Sequence, residues 1–374
     1  MTRIRTALIV GGGIAGMSAA LELHNAGFEV DLIDLDPYWR VYGAGITITG
    51  PTLRAFQGLG ILDEVVQHAY TGNGIQICNV EGEPIDLVPT PSAGAGNLPG
   101  CGGIMRPVLH RILSDRVKRC PIRVRLGVTV ETLASGDDRI DVSFSDGTSG
   151  SYEIAIGADG LFSRVRNLIL PNAPQPEYTG QTCWRLVAPR PPSIERRTFF
   201  LGGKVKVGLS PVSKTEMYMF LLQTTPRPPH LPDEALPGKL ATLLEGYGGP
   251  LEHIRKSLGP RSRIVMRPLE AFFLPKPWHV GRCLLIGDAA HPTTPHLASG
   301  AGMAVEDALV LGQEAARHAD AASLFEGFMG RRYNRCRLVV ENSMEIGRRE
   351  QRGAPASDQT QLVEESLIAL ADPI

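Results

Sequence analysis

Residues 6–34 read TALIVGGGIAGMSAALELHNAGFEVDLID. An apolar run, Ala7-Leu8-Ile9-Val10, ends directly in Gly11-x-Gly13-x-x-Gly16, and an alanine-rich helical pattern begins at once. Strand, glycine turn and helix at this spacing predict a dinucleotide-binding βαβ unit. Gly11 permits the tight turn, Gly13 has no side chain to keep a pyrophosphate off the backbone, and Gly16 lets the helix pack on the strand. Ile14 and Ala15 complete the turn, where unpaired N–H groups and the positive end of the helix dipole attract phosphate. Asp34, eighteen residues beyond Gly16, ends the alternating strand Phe28–Ile33, where a carboxylate accepts hydrogen bonds from ribose hydroxyls. A glycine-rich structural turn is the plainer alternative in a chain with 42 glycines, but it does not explain the acid at that distance. A signal peptide, suggested by Arg3, Arg5 and the small residues after Met17, conflicts with three glycines in its apolar core.

The 374 residues suffice for two domains or one large one. A hydrophobic content of 43% with 21% charged residues is that of an ordinary enzyme able to bury a core. The net charge of −1 argues against nucleic acid as a partner. No stretch approaches the roughly 20 apolar residues of a membrane span. Six cysteines lack CxxC spacing and nine histidines form neither HxH nor HExxH. They predict reduced thiols in a cytoplasmic protein and no metal.

Along the chain, the βαβ unit is followed by a Gly-rich segment, 41–48, then short helices at TLRAFQGLG and ILDEVVQHA and a strand over 75–80. Residues 89–103, PTPSAGAGNLPGCGG, predict a loop. A helix follows Arg106-Pro107, and short strands are expected at 122–126, 140–145 and 152–157. Between 177 and 275 the runs TCWRLVA, RTFFLG, KVKVGLS, EMYMFLLQT and RIVMRPLEAF favour β-structure. Strand, turn and helix resume at 281, and 322–350 is an Arg-rich amphipathic helix. The expected fold class is α/β: a dinucleotide-binding domain in three pieces (1–72, 101–175, 278–374), with C-terminal helices, and an inserted β-sheet domain (73–100, 176–277).

Two further motifs bear on the ligand. LLIGDAAHPTTP, 284–295, ends a strand in Gly287-Asp288, with Pro292 in the loop beyond. Small residues there let a polyhydroxy chain reach Asp288. Gly300-Ala301-Gly302 then opens a helix expected over Met303–Ala316, whose positive end suits a ligand that becomes anionic on reduction. A nicotinamide dinucleotide has no use for a second site so far from the first; a flavin dinucleotide does. Asp159-Gly160, in GADGLFSRVR, places another carboxylate at a strand–helix junction.

With these motifs in order, nearly the whole chain resembles the single-component FAD-dependent aromatic hydroxylases, the para-hydroxybenzoate and salicylate hydroxylase group of class A flavoprotein monooxygenases. Gly11, Gly13, Gly16 and Asp34 match its FAD fingerprint, Arg106 its flavin-contacting arginine, and Asp159-Gly160 the motif that serves FAD and NAD(P)H. Gly287, Asp288 and Pro292 match its ribityl-binding motif, closed by Glu306-Asp307-Ala308. The chain departs from the family in having Asp34-Leu35 for Glu-Arg, and Ala298-Ser299-Gly300-Ala301-Gly302 for Gly-Gln-Gly-x-Asn. The second change leaves backbone contacts alone at the flavin's pyrimidine edge.

The resemblance implies a Rossmann-like FAD-binding domain of the GR2 type. It implies reduction of FAD by NAD(P)H, reaction with O2 to a flavin C4a-hydroperoxide, and oxygen transfer to an electron-rich aromatic ring such as a phenol or an aromatic or pyridine acid. It leaves a homodimer open. An FAD oxidase, reductase or epoxidase acting on a non-aromatic substrate is the alternative, and a flavin-bound scaffold protein is a third reading. A tryptophan halogenase is disfavoured because Trp39, Trp184 and Trp278 stand in no GWxWxIP stretch.

Single residues divide between packing and chemistry. Thr47, placed near the flavin by the resemblance, Tyr218, expected on one sheet face with Phe220, and His296, in the loop before the last motif, are the candidate catalytic residues. His291 reads as a loop-ordering residue, and Trp184-Arg185 as packing with a surface ion pair or a contact at the domain junction. RRYNRCR, 331–337, reads as a solvated helix face.

Overall fold

The computed structural model describes residues 4–41, 43–90, 92 and 98–374, with the side chains of 356 and 357 left aside. Tyr42 of the Gly-rich segment, and positions 91 and 93–97 of the expected loop, lie outside the described residues.

The apolar run of the fingerprint is the strand Thr6–Val10, inside a six-stranded sheet. Its neighbours are Ile154–Gly157 on one side and Glu29–Asp34 on the other, both parallel to it, with Cys283–Leu285 and Arg123–Leu126 parallel beyond them. A short strand, His279–Val280, closes one edge antiparallel. Strands covered on both faces read as continuous apolar runs, and Ala7, Leu8, Ile9, Ile154, Ala155 and Ile156 are all fully buried. Register carries the functional consequence. Val10 lies beside both Gly157 and Ile33, and Gly157 lies beside Leu285. Gly11, Asp34, Ala158 and Ile286 therefore leave the sheet along one edge, the carboxyl end of its strands, where doubly wound sheets take ligands.

The β-rich stretch forms a second sheet of seven strands. In spatial order these are Arg263–Ala271, Glu177–Pro189, Glu216–Thr224, Lys206–Pro211, Thr198–Phe200, Ile75–Cys78 and Pro84–Val88. Its two faces differ because side chains alternate along a strand. Trp184, Leu186, Met217, Met219 and Leu221 point one way into a core shared with Leu236, Leu240, Leu251 and Ile254 of two short helices. Cys183, Arg185, Tyr218, Phe220 and Leu222 point the other way into a cleft. Tyr218 and Phe220 do share a face. Trp184 is core packing, its Nε1 donating to Gln223 Oε1 at 3.0 Å.

Two expectations change, and the C-terminal helices stand as expected. The Gly-rich end of the predicted loop is a strand, Cys101–Met105, paired antiparallel with Gly45–Thr49 and Tyr70–Gly72. Its glycines answer to close approach: a Cβ on Gly102 would lie 2.5 Å from the Tyr70 carbonyl oxygen, and one on Gly103 2.3 Å from that of Pro211. Strands at Val130–Ser135 and Ser149–Tyr152 flank Ile140–Phe144 in a small sheet that alternation alone did not reveal. The long helix runs Ala321–Gln351, and another, Ala356–Ala371, follows it. Among the described residues no helix is long and apolar enough to cross a membrane.

Candidate active site

The helix Ile14–Asn25 starts after a turn of three glycines, 11–13, at the end of the first strand. Gly11 has φ +107°, and a Cβ there would lie 2.4 Å from the Ala158 carbonyl oxygen, so the turn closes only with glycine. At Gly16 a Cβ would meet the Gly11 carbonyl oxygen at 1.8 Å. Gly13 is different: nothing lies within 4 Å of an added Cβ. That open space continues into a cleft of about 570 Å³ whose wall includes Gly13, Ile14 and Ala15.

The same cleft collects Thr47, Arg106, Gly160, Tyr218, Asp288, His296, Gly300 and Ala301. Gly11, Gly16, Asp34, Asp159, Gly287, Pro292 and Gly302 are not among the residues that line it. Gly302 is a packing residue, since its Cβ would lie 2.3 Å from Thr52 Oγ1. The last helix of the motif begins at Gly300, three residues before the expected Met303, and runs to Arg317. Ala298, just before it, holds a left-handed backbone with φ +50° where the family pattern has glycine.

Asp34 accepts from Gly12 N at 2.7 Å and Asp36 N at 2.8 Å. Trp39 closes this corner, its Nε1 donating to the Gly12 carbonyl at 2.9 Å. Asp159 turns from the cleft to the start of the helix Arg164–Ile169. It accepts from Arg164 N (2.7 Å), Val165 N (3.0 Å) and Ser163 Oγ (2.5 Å). Its part here is that of a cap, compensating unpaired donors, and Gly160 alone of the pair faces the cleft. Buried Arg166 ties this motif to the Asp288 loop by donating to the Ala289 carbonyl at 3.0 Å.

The reading of 331–337 as a solvated face is overturned. Arg332 and Cys336 are wholly buried. Arg332 donates to Asp307 Oδ1 at 2.7 Å and to Glu306 Oε2 at 2.8 Å, and Arg335 donates to Glu306 at 2.8 Å from two nitrogens. The other Asp307 oxygen accepts from Gly287 N (2.8 Å) and pairs with His291 Nε2 (2.7 Å). The arginines thus neutralise two buried carboxylates that fix the Asp288 loop. Burial opposes ionisation of Asp307, but His291 and Arg332 outweigh it and hold its carboxyl at about 2. His291, Asp307 and Cys336 offer ligand atoms within 4.8 Å of one another, yet the Arg332 cation already occupies that carboxylate.

Thr47 and Tyr218 converge, Thr47 Oγ1 lying 2.5 Å from Tyr218 OH in a buried pair. The tyrosine ring lies on the bare backbone of Gly45, where a Cβ would come within 2.2 Å of it. His296 presents no free nitrogen: Nδ1 pairs with Thr294 Oγ1 at 2.8 Å and Nε2 with Glu350 Oε2 at 3.2 Å. Glu350 also accepts from Lys206 Nζ (2.5 Å) and Gln181 Nε2 (3.1 Å). Burial works against its charge, but Lys206 together with His296 keeps its carboxyl at about 2.

Residues the motifs did not disclose are Arg197, Phe199, Lys206 and Arg267 of the cleft face, and Glu350 behind them. An arginine or lysine recurring in otherwise apolar strands was the available signal.

A strand–glycine–helix cradle, open space at Gly13 and a second strand-end carboxylate in the same cleft define a flavin dinucleotide protein. The chain belongs to the FAD-dependent aromatic hydroxylases: the family profile described as an FAD binding domain matches residues 5–343. It is 32% identical to 2-heptyl-3-hydroxy-4(1H)-quinolone synthase of Pseudomonas aeruginosa over 94% of this chain and 91% of that one. It is 31% identical to aurachin C monooxygenase/isomerase of Stigmatella aurantiaca over 91% and 88%. In fold it is similar to Klebsiella pneumoniae HpxO, solved with FAD and uric acid, with a TM-score of 0.86 at 24% identity over 98% and 96% of the chains. FAD is its cofactor, and it is an FAD-dependent monooxygenase.

Proposed function

We propose that this enzyme hydroxylates an electron-rich aromatic or heteroaromatic ring held beside Tyr218, using NAD(P)H and O2. One observation carries the reading: the cleft that begins at the fingerprint glycines ends against the Thr47–Tyr218 pair and the rings of Phe199 and Phe220. The named relatives, a quinolone synthase and an aurachin monooxygenase, support a ring of this class.

Bound FAD supplies the activation of oxygen; the rest falls to the chain. Gly13, Ile14 and Ala15 would hold the pyrophosphate, Asp34 the adenosine ribose, and Asp288 the ribityl hydroxyls. Arg106, Gly160 and the start of the helix at Gly300 and Ala301 would border the flavin, the helix end favouring negative charge on its ring. Gly11, Gly16, Gly287, Pro292 and Gly302 give the loops their shape, and Asp159 fixes one of them. Tyr218 is the residue best placed to take or give a proton at a ring oxygen, with Thr47 holding its hydroxyl. His296 is a positioning residue: its tie to Glu350 sets the loop Thr294–Ala298. The rings of Phe199, Tyr218 and Phe220 and the Leu222 side chain would exclude water from the reacting ring.

In this reading the segments 73–100 and 176–277 form the substrate-binding half and 1–72, 101–175 and 278–374 the FAD-binding half. Six unpaired cysteines support a reducing, cytoplasmic setting. The test is turnover under labelled O2. Label in the product with stoichiometric NAD(P)H use is expected; a ring that stimulates oxidation but yields only peroxide would turn the reading to an oxidase.

A further inference from the structure

A second cavity, of about 660 Å³, opens beyond the cleft and is larger than it. Ile75, Ile77 and Val88 wall it from the sheet edge, and Ile346, Val363 and Leu367 from the last two helices. Glu364 and Ile368, which also line it, are exposed and mark its mouth. The two cavities meet where Arg197, Phe199, Lys206, Leu222 and His296 line both.

Charge is concentrated at that neck. Lys206 is neutralised by Glu350. Arg197 has no hydrogen bond or ion pair through its side chain among the described residues; its Nε is inaccessible to solvent, and its guanidinium rests 4.8 Å over the Phe199 ring. A cation left without an acceptor at the junction is poised to receive one from a ligand. A single ring beside Tyr218 would leave the larger chamber unfilled, and an unfilled apolar chamber forgoes both desolvation and contact.

We propose that the substrate has two parts: a ring bearing a carbonyl or oxyanion oxygen that Arg197 receives, and an apolar chain of several carbons that lies in the second chamber. The neck sets the orientation: the ring oxygen meets Arg197 there, and the chain lies on Ile75, Ile77, Val88, Ile346, Val363 and Leu367, while Lys204, which also lines the chamber, is exposed and keeps its hydration. The identity of the ring rests on the hydroxylase reading; the chamber does not.

The test uses the FAD-loaded enzyme and two homologous series, 4-alkylresorcinols and n-alkyl 4-hydroxybenzoates, each with methyl, butyl and heptyl chains. Affinity is read by calorimetry and by perturbation of the flavin spectrum. Burial of each methylene should tighten binding about threefold to fourfold, so the methyl-to-heptyl ratio of Kd should reach about 10³ if all six added methylenes are buried, and exceed roughly thirtyfold if half of them are, in at least one series. Val363→Trp, which fills the chamber, and Leu367→Asp, which charges its wall, should bring that ratio close to one in variants that keep their FAD and their Tm. A flat ratio in both series, or a ratio that survives both substitutions, overturns the proposal. Chain-length-dependent binding without labelled oxygen in any product would sink the hydroxylase reading and leave the chamber standing. Hydroxylation with no chain-length dependence would do the reverse.

Discussion

Thr47 Oγ1 and the Tyr218 hydroxyl lie 2.5 Å apart although 171 residues separate them in the chain. Thr47 belongs to the strand Gly45–Thr49 and Tyr218 to Glu216–Thr224 of the seven-stranded sheet. The hydrogen bond therefore joins the three-stranded sheet of Gly45–Thr49, Cys101–Met105 and Tyr70–Gly72 to the seven-stranded sheet at the end of the cleft, and with the tyrosine ring seated on Gly45 it gives that hydroxyl one orientation. Tyr218→Phe should keep FAD but lose about 10²-fold in kcat for hydroxylation, the usual scale for a positioned proton-transfer group. Orphaning the Thr47 hydroxyl should add about 1–2 kcal/mol of destabilisation. Single-turnover kinetics and denaturant unfolding measure the two separately; a variant with unchanged kcat would remove Tyr218 from the chemistry.

The fingerprint glycines make a sharper prediction, because they carry different duties. Gly13→Val adds a side chain where Gly13 faces open space, so the apoprotein should fold with little change in Tm and take up no FAD. Gly16→Val would drive a side chain into the Gly11 carbonyl oxygen, and soluble, folded protein should be lost. Expression yield, circular dichroism and flavin absorbance decide it. If the two variants behave alike, the division between cradle and packing is wrong.

Arg332 compensates Glu306 and Asp307 at once in a site with no access to solvent. Without Arg332, Asp307 is left to His291 and Glu306 to Arg335, and breaking a buried charge network in this way costs up to about 3–5 kcal/mol. Arg332→Met should reach that range. Arg332→Lys should recover only part of it, since a point charge cannot match two carboxylates with the fork of a guanidinium. Because Asp307 also holds Gly287 N, FAD affinity should fall along with stability. Equal stability of the methionine variant and the parent would show the network to be dispensable.

The carboxyls of Glu350 and Asp307 both titrate at about 2 in the folded chain, below the ordinary values of 4.5 and 3.8. A depressed folded pKa means that the stabilisation is fully present above the ordinary value and is lost as the pH falls toward the folded one. Tm should therefore hold near neutrality and fall between about pH 4.5 and 2 as these groups take up protons. In Glu350→Gln the part of this dependence that comes from the His296–Lys206 site should vanish, with a loss on the order of a few kcal/mol at pH 7. A Tm profile for Glu350→Gln parallel to that of the parent through this range would contradict the assignment.

Local rules made much of the molecule legible. An apolar run ending in spaced glycines can do little but turn and start a helix, and a carboxylate after the next strand follows from the same unit. Alternation placed Tyr218 and Phe220 on one face because side-chain direction along a strand has a period of two. Composition misled where a residue type has two uses. The glycines 102 and 103 read as a loop because glycine is common there, whereas they serve a strand pressed by two carbonyl groups. The basic run at 331–337 read as solvated because charges usually are, and its carboxylate partners sit 25 and 26 positions away on another helix.

The sequence by itself determined the dinucleotide cradle and the order of its motifs, since each is a contiguous stretch whose backbone geometry its own residues dictate. Only the tertiary structure decided that Asp159 caps a helix while Asp288 faces the cleft. It alone brought Thr47 to Tyr218 and Lys206 to Glu350, and it alone opened a second chamber at Arg197. Those relations depend on the register of strands and on helices returning over a sheet, and distances set by packing between remote segments leave no periodic mark in the chain.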